Sequence, residues 1–156
     1  MKNLILVRHA QAKDAVAHQK DFDRGLSDRG NAQAERQARQ LELGKYNIIF
    51  HSAALRTTET AVHLHNVHPH VTLQARRDMY NADLNQLIEI LEENWELEAL
   101  VLVGHNPGIS HLFYHLTGEW EEFETCTFAQ LSFPNNMGKE DMRAAAQIEQ
   151  IQHPEI

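Results

Sequence analysis

The sequence predicts an α/β domain with a largely parallel, twisted sheet. Aliphatic runs of strand length recur within residues 3–7, 46–52 and 97–104, and stretches with helical periodicity lie between them. Strands that alternate with helical patterns build parallel sheets covered on both faces, a three-layer α/β/α sandwich.

The elements follow in order. Residues 3–7, NLILV, are short, continuous and aliphatic, as a strand buried on both faces must be. Residues 9–30 are polar, with Gly25 and Gly30 as breakers. Residues 31–43, NAQAERQARQLEL, combine high helix propensity with small or apolar residues at helical spacing, and Gly44 suits a C-cap. YNIIFHS, 46–52, is a second buried strand, and ALRTTETAVHLHN, 54–66, a second helix. A short strand falls within 71–79, and 82–96 is an amphipathic third helix. LEALVLVGHNPG, 97–108, is a third aliphatic strand running into a Gly-rich turn. Pro107 then suits the first position of a helix through 108–118, with Asn106 as its N-cap. CTFAQLSF, 126–133, alternates like a strand, 134–141 is a loop, and 143–152 contains a last strand. With no internal repeat, linker or low-complexity tract, one domain is expected over 1–156.

Composition narrows the function. At 42% hydrophobic and 23% charged residues, the chain reads as an ordinary soluble globular protein. No apolar run approaches the roughly 20 residues of a membrane helix, and no secretory leader is expected. Cys126 is the only cysteine, which excludes an intramolecular disulfide and suits a reducing cytoplasm. A formal net charge of −8 disfavours nucleic acid as partner. An anionic ligand would need a local basic pocket in a repelling surface.

Such a pocket is suggested by how the aliphatic runs end. The first runs into Arg8–His9, the second into His51–Ser52 with Arg56 close behind, and the third into Gly104–His105. Ligands of open α/β sheets bind outside the carboxyl ends of the strands. If the three runs are parallel neighbours, arginines and histidines converge at one edge, and helix N-termini there would help to hold a phosphate.

LVRHAQA, LSDRG, HSAALRTTETA and LVGHNPG, in this order, resemble the successive motifs of the histidine phosphatase superfamily, the phosphoglycerate-mutase-like proteins. The short chain, and RHA in place of the commoner RHG, resemble its SixA branch of phosphohistidine phosphatases. The resemblance implies a minimal phosphoglycerate-mutase-like fold without a lid domain. By motif position it implies His9 as nucleophile, Arg8 and Arg56 as phosphate-binding arginines, and His105 as second pocket histidine. Arg24 matches an arginine near the pocket mouth. Ala10 stands where the family has glycine, and Ala53 where it usually has proline.

A neutral imidazole attacks phosphorus with one nitrogen while the other is held as N–H, and a backbone carbonyl is the expected holder. Arg8, Arg56 and a protonated His105 would balance charge on the phosphoryl oxygens, with no metal or cofactor. No glutamate motif for a general acid is found, and Asp83 is the nearest candidate, although it equally suits a helix start. A missing acid favours a phosphohistidine substrate, whose leaving group is an imidazole. The expected partner is a phosphorylated protein, such as a histidine-phosphotransfer domain, or a small phosphorylated substrate, and the chain is expected to be a monomer.

Other features have plainer readings. His51 suits either the pocket or a strand-end hydrogen bond. His63, His65, His68 and His70 cluster in HLHNVHPH, but they straddle a helix end without a ligand pattern and are read as solvated surface rather than a metal site. His111 and His115 lack the glutamate of a zinc helix, and the acidic runs are read as solvated faces. The rival functions are the same chemistry on a phosphate ester, and a phosphate- or metal-binding module without turnover.

Overall fold

The computed structural model describes residues 1–155 as a three-layer α/β/α sandwich. Its six strands are β1 (Asn3–Arg8), β2 (Ile48–Ser52), β3 (Thr72–Arg76), β4 (Ala99–Gly104), β5 (Phe128–Ser132) and β6 (Gln147–Gln152). The helices are α1 (Asp28–Gln40), α2 (Leu55–Val67), α3 (Leu84–Glu93) and α4 (Gly108–Thr117). The sheet order is β3-β2-β4-β1-β5-β6. The first four strands in that order run parallel, while β5 is antiparallel to both β1 and β6.

Side-chain alternation in the central strands divides the core. Leu4 and Leu6 of β1, with Leu100 and Leu102 of β4, pack against Leu87, Ile90 and Leu91 of α3 and Ile109, Leu112 and Phe113 of α4. Ile5 and Val7, with Val101 and Val103, face Ala38 of α1 and Ala61 and Leu64 of α2. Both faces of β1 and β4 are thus buried, which is why these strands read as unbroken aliphatic runs.

Helix ends differ by a few residues from the sequence reading. α1 begins at Asp28, because the Ser27 side chain accepts from the Gly30 amide. It stops at Gln40, and Leu41 takes an extended backbone, so Gly44 caps nothing. The buried Leu41 and Leu43 instead carry the chain back into the core. The cap of α4 lies one residue later than expected, at Pro107, while Asn106 Oδ1 still accepts from the Ser110 amide.

Two close approaches set the loops at the carboxyl edge. A Cβ on Gly30 would lie 1.9 Å from the Gln11 carbonyl oxygen, so only glycine lets α1 start against the segment after His9. Likewise, a Cβ on Gly108 would lie 2.2 Å from the Ala82 carbonyl oxygen at the start of α4.

Candidate active site

The parallel order places β2, β4 and β1 side by side, so their carboxyl ends meet. His9 follows β1, His105 follows β4, and Arg56 lies in the first turn of α2 behind β2. With Arg8 and Arg24 they line a cleft of about 330 Å³, which neutral side chains such as Asn81 complete. The expected convergence of Arg8, His9, Arg24, Arg56 and His105 is therefore realised.

His9 is held at every polar backbone atom. Its amide donates to Gly104 O at 3.0 Å, and its carbonyl accepts from the Cys126 amide at 2.9 Å. The ring Nδ1–H donates to Ala10 O at 2.7 Å, as the nucleophile reading requires, so the unprotonated nitrogen is Nε2. The Ala10 amide donates to Thr60 Oγ1, whose own hydroxyl donates to Arg56 O. One threonine thereby joins the histidine loop to the helix that carries Arg56.

His105 lies beside His9, with ring centroids 5.4 Å apart. Its Nε2 is 2.8 Å from Ser52 Oγ. That oxygen also accepts from the Ala54 amide at 3.3 Å. Burial, then the charges of His9 and Arg56, pushes the His105 pKa down to about 3. In the free protein His105 is therefore neutral near pH 7. For His9, burial again leads, with Arg56, Arg8 and Arg24 adding to it against the Ala10 hydrogen bond, and its pKa falls to about 4.

Among the described residues, the buried side-chain nitrogens without a hydrogen-bond partner are Arg8 Nε, Arg56 Nε and His105 Nδ1. All three belong to the cleft, and the two guanidinium nitrogens are donors. An unpaired buried donor costs about 1–3 kcal/mol, so two in one cleft suit it to an anion. Each guanidinium is anchored elsewhere: Arg8 Nη1 donates to Phe123 O at 2.8 Å, and Arg56 Nη1 to Asp21 O at 2.9 Å.

Asp21, on a single 3-10 turn at Asp21–Asp23, joins the arginines of the rim. One carboxylate oxygen accepts from Arg56 Nη2 at 3.1 Å and Tyr80 OH at 2.6 Å. The other accepts from Arg24 Nε at 3.0 Å and makes an ion pair with Arg24 Nη2 at 2.9 Å. The Tyr80 hydrogen bond leads, and with Arg24 and Arg56 it lowers the Asp21 pKa to about 2. Sequence reasoning passed over Asp21, Tyr80 and Ser52. The i, i+3 spacing of Asp21 and Arg24 was a usable signal, whereas Tyr80 lies 59 residues from Asp21 and left none.

Other candidates take their plainer roles. Asp83 is the N-cap of α3, in a reciprocal capping box with Gln86, and does not line the cleft. His51 Nδ1–H donates to Ser52 O at 2.9 Å, a strand-end bond. His65, His68 and His70 donate to the carbonyls of Val71, Ala38 and Leu43, and His63 bonds Asn31 Oδ1. His63, His65 and His68 are half-buried and His70 is exposed, so the segment is partly solvated surface, as expected, and partly scaffolding that ties α2 to α1. No group of three His, Cys, Asp or Glu side chains that could hold a metal occurs among the described residues. Likewise, among those residues no helix is long and apolar enough to cross a membrane.

A mostly parallel sandwich with two histidines and three arginines at one sheet edge defines an α/β protein of the anion-handling class. The chain belongs to the histidine phosphatase superfamily (branch 1), whose family profile matches residues 4–98. A candidate phosphohistidine phosphatase SixA from Agrobacterium tumefaciens superposes with a TM-score of 0.84 at 25% identity, covering 98% of each chain. The protein histidine phosphatase SixA in complex with tungstate gives 0.76 at 17% identity, over 97% of each chain. A mycobacterial glucosyl-3-phosphoglycerate phosphatase gives 0.73 at 17%, over 95% of this chain and 97% of that one. The last two establish likeness of fold alone. A search of curated proteins returns no match.

Proposed function

We propose that this phosphatase-superfamily protein removes phosphate from phosphohistidine on a partner protein, through a phospho-His9 intermediate and without a metal. The observation that carries the substrate choice is the make-up of the cleft: among the described residues no carboxylate lines it. The carboxylate at its rim, Asp21, is held ionised with a pKa of about 2 and cannot donate a proton near neutral pH. An alkoxide leaving group needs an acid there. A phosphohistidine ring protonated on its second nitrogen brings its own proton and leaves as neutral imidazole.

His9 Nε2 forms a bond to phosphorus as the substrate P–N bond breaks. The electron pair goes to the departing ring, and His9 becomes a phosphorylated imidazolium. The Nδ1–H bond to Ala10 O keeps the proton on that ring, so phospho-His9 is itself a good leaving group. Water then attacks in line, phosphate is released and His9 returns to neutral. Arg8, Arg56 and the His105 ring stabilise the charge on the equatorial oxygens. Arg24 stands at the rim, where it meets the phosphate on entering.

The test is a comparison of kcat/KM for a phosphohistidine protein, such as a histidine-phosphotransfer domain, with that for small phosphate esters, in excess chelator. A preference of about 100-fold or more for the N–P substrate is expected, in line with removing a need for general acid catalysis. Equal or better turnover of the esters contradicts the substrate assignment, and loss of activity in chelator contradicts the metal-free chemistry.

A further inference from the structure

We infer that Asp21 is a positioning residue for phosphate binding, acting through Arg56 and Arg24 with Tyr80 as its brace. The inference rests on the cleft being a phosphate site, and its consequence runs against simple electrostatics. Deleting a negative charge beside an anion site should tighten anion binding by Coulomb's law alone. The geometry predicts the reverse.

Arg56 has five N–H donors in a rigid plane. Asp21 takes two of them through its backbone and carboxylate oxygens, at 2.9 and 3.1 Å. A plane anchored along one edge presents its remaining donors, the buried Nε–H included, in a single orientation. Arg24 is drawn to the same carboxylate by one hydrogen bond from Nε and a close Nη2, and is steadied by donation to Lys13 O at 2.9 Å. Tyr80 supplies the fourth carboxylate contact, and its ring packs edge-on against Phe22 and His105. The brace therefore spans the rim from the 3-10 turn to the second pocket histidine. The Asp21 carboxylate is engaged by three hydrogen bonds and an ion-pair contact, and it does not line the cleft, which separates positioning from direct catalysis.

Asp21 is itself 46% exposed, so Asp21→Asn tests this without emptying a core. The probe is inorganic phosphate, with tungstate as a second oxyanion, measured by calorimetric titration. Asp21→Asn should weaken both by about tenfold, the scale of one or two lost charge-assisted hydrogen bonds. Tyr80→Phe should weaken them in the same direction by about threefold, since it removes one brace contact. In an Arg56→Met background the Asp21→Asn penalty should fall to about threefold or less, because the main guanidinium it orients is gone. Binding that is unchanged or tighter in Asp21→Asn overturns the inference, as does a full tenfold penalty in both backgrounds. If the unaltered protein binds neither oxyanion, the phosphate-site reading falls and takes this inference with it. If it binds and the variant is indifferent, only the role of Asp21 falls.

Discussion

Lowering the pH from 7 to 5 should leave His9 almost entirely able to attack. An ordinary histidine, with a pKa near 6.5, is only about 3% neutral at pH 5. Burial and the three arginines bring His9 to about 4, which leaves about 90% neutral at the same pH, close to a thirtyfold difference. Ring-nitrogen NMR of the phosphate-free protein, titrated from pH 7 to pH 3, reads this directly. The acid limb of kcat/KM, with the substrate's own ionisation divided out, should fall below pH 5 as well, since that limb reports the free enzyme. The folded pKa values of His9 and His105, about 4 and about 3, lie below the unfolded value, so between them and pH 6.5 the unfolded chain binds more protons. Stability must then decline as pH falls through that window, by at most about 1.4 kcal/mol per pH unit for each histidine. Asp21, lowered to about 2, adds in the same sense only below its ordinary value of 3.8. A His9 midpoint near 6.5, or stability flat from pH 6.5 to 4.5, refutes the reasoning.

Two substitutions probe other parts of the account. Arg56→Ala removes a buried guanidinium with an unpaired Nε and should lower kcat/KM by about 100- to 1000-fold, so a near-normal rate would exclude transition-state contact. Gly30→Ala should gain up to about 1 kcal/mol by helix propensity. Its Cβ, however, would lie 1.9 Å from Gln11 O, so a net loss of about 1–3 kcal/mol and a lower melting temperature are expected, and an unchanged or higher one contradicts the packing.

Much of this was written locally in the sequence. Leu4–Val7 and Leu100–Val103 are buried on both faces and so carry no polar alternation, which made the central parallel strands readable. Their abrupt ends in Arg8–His9 and Gly104–His105 exposed the sheet edge where the cleft lies. What escaped was set by contacts distant in sequence. α1 ends early because Leu41 and Leu43 are needed in the core, a tertiary demand that outweighs the pull of Gly44. The lowered pKa of His105 depends on burial and on the charges of His9 and Arg56, and its ring partner Ser52 lies 53 residues away. The Asp21 hub joins residues from three segments, and the histidines of 63–70 owe their role to carbonyls near the end of α1. Asp83 shows the opposite limit: its local reading, a helix start, was the right one.

The central claim is that the phosphoryl group passes through His9 Nε2, whose proton is parked on Nδ1 by Ala10 O. The most direct measurement is rapid-quench trapping with a labelled phosphohistidine protein. A transient phosphoprotein is expected, labile to acid and stable to alkali, with the label on His9, and none in His9→Ala. Label on a serine or an aspartate, or a labelled intermediate that persists in His9→Ala, would contradict it.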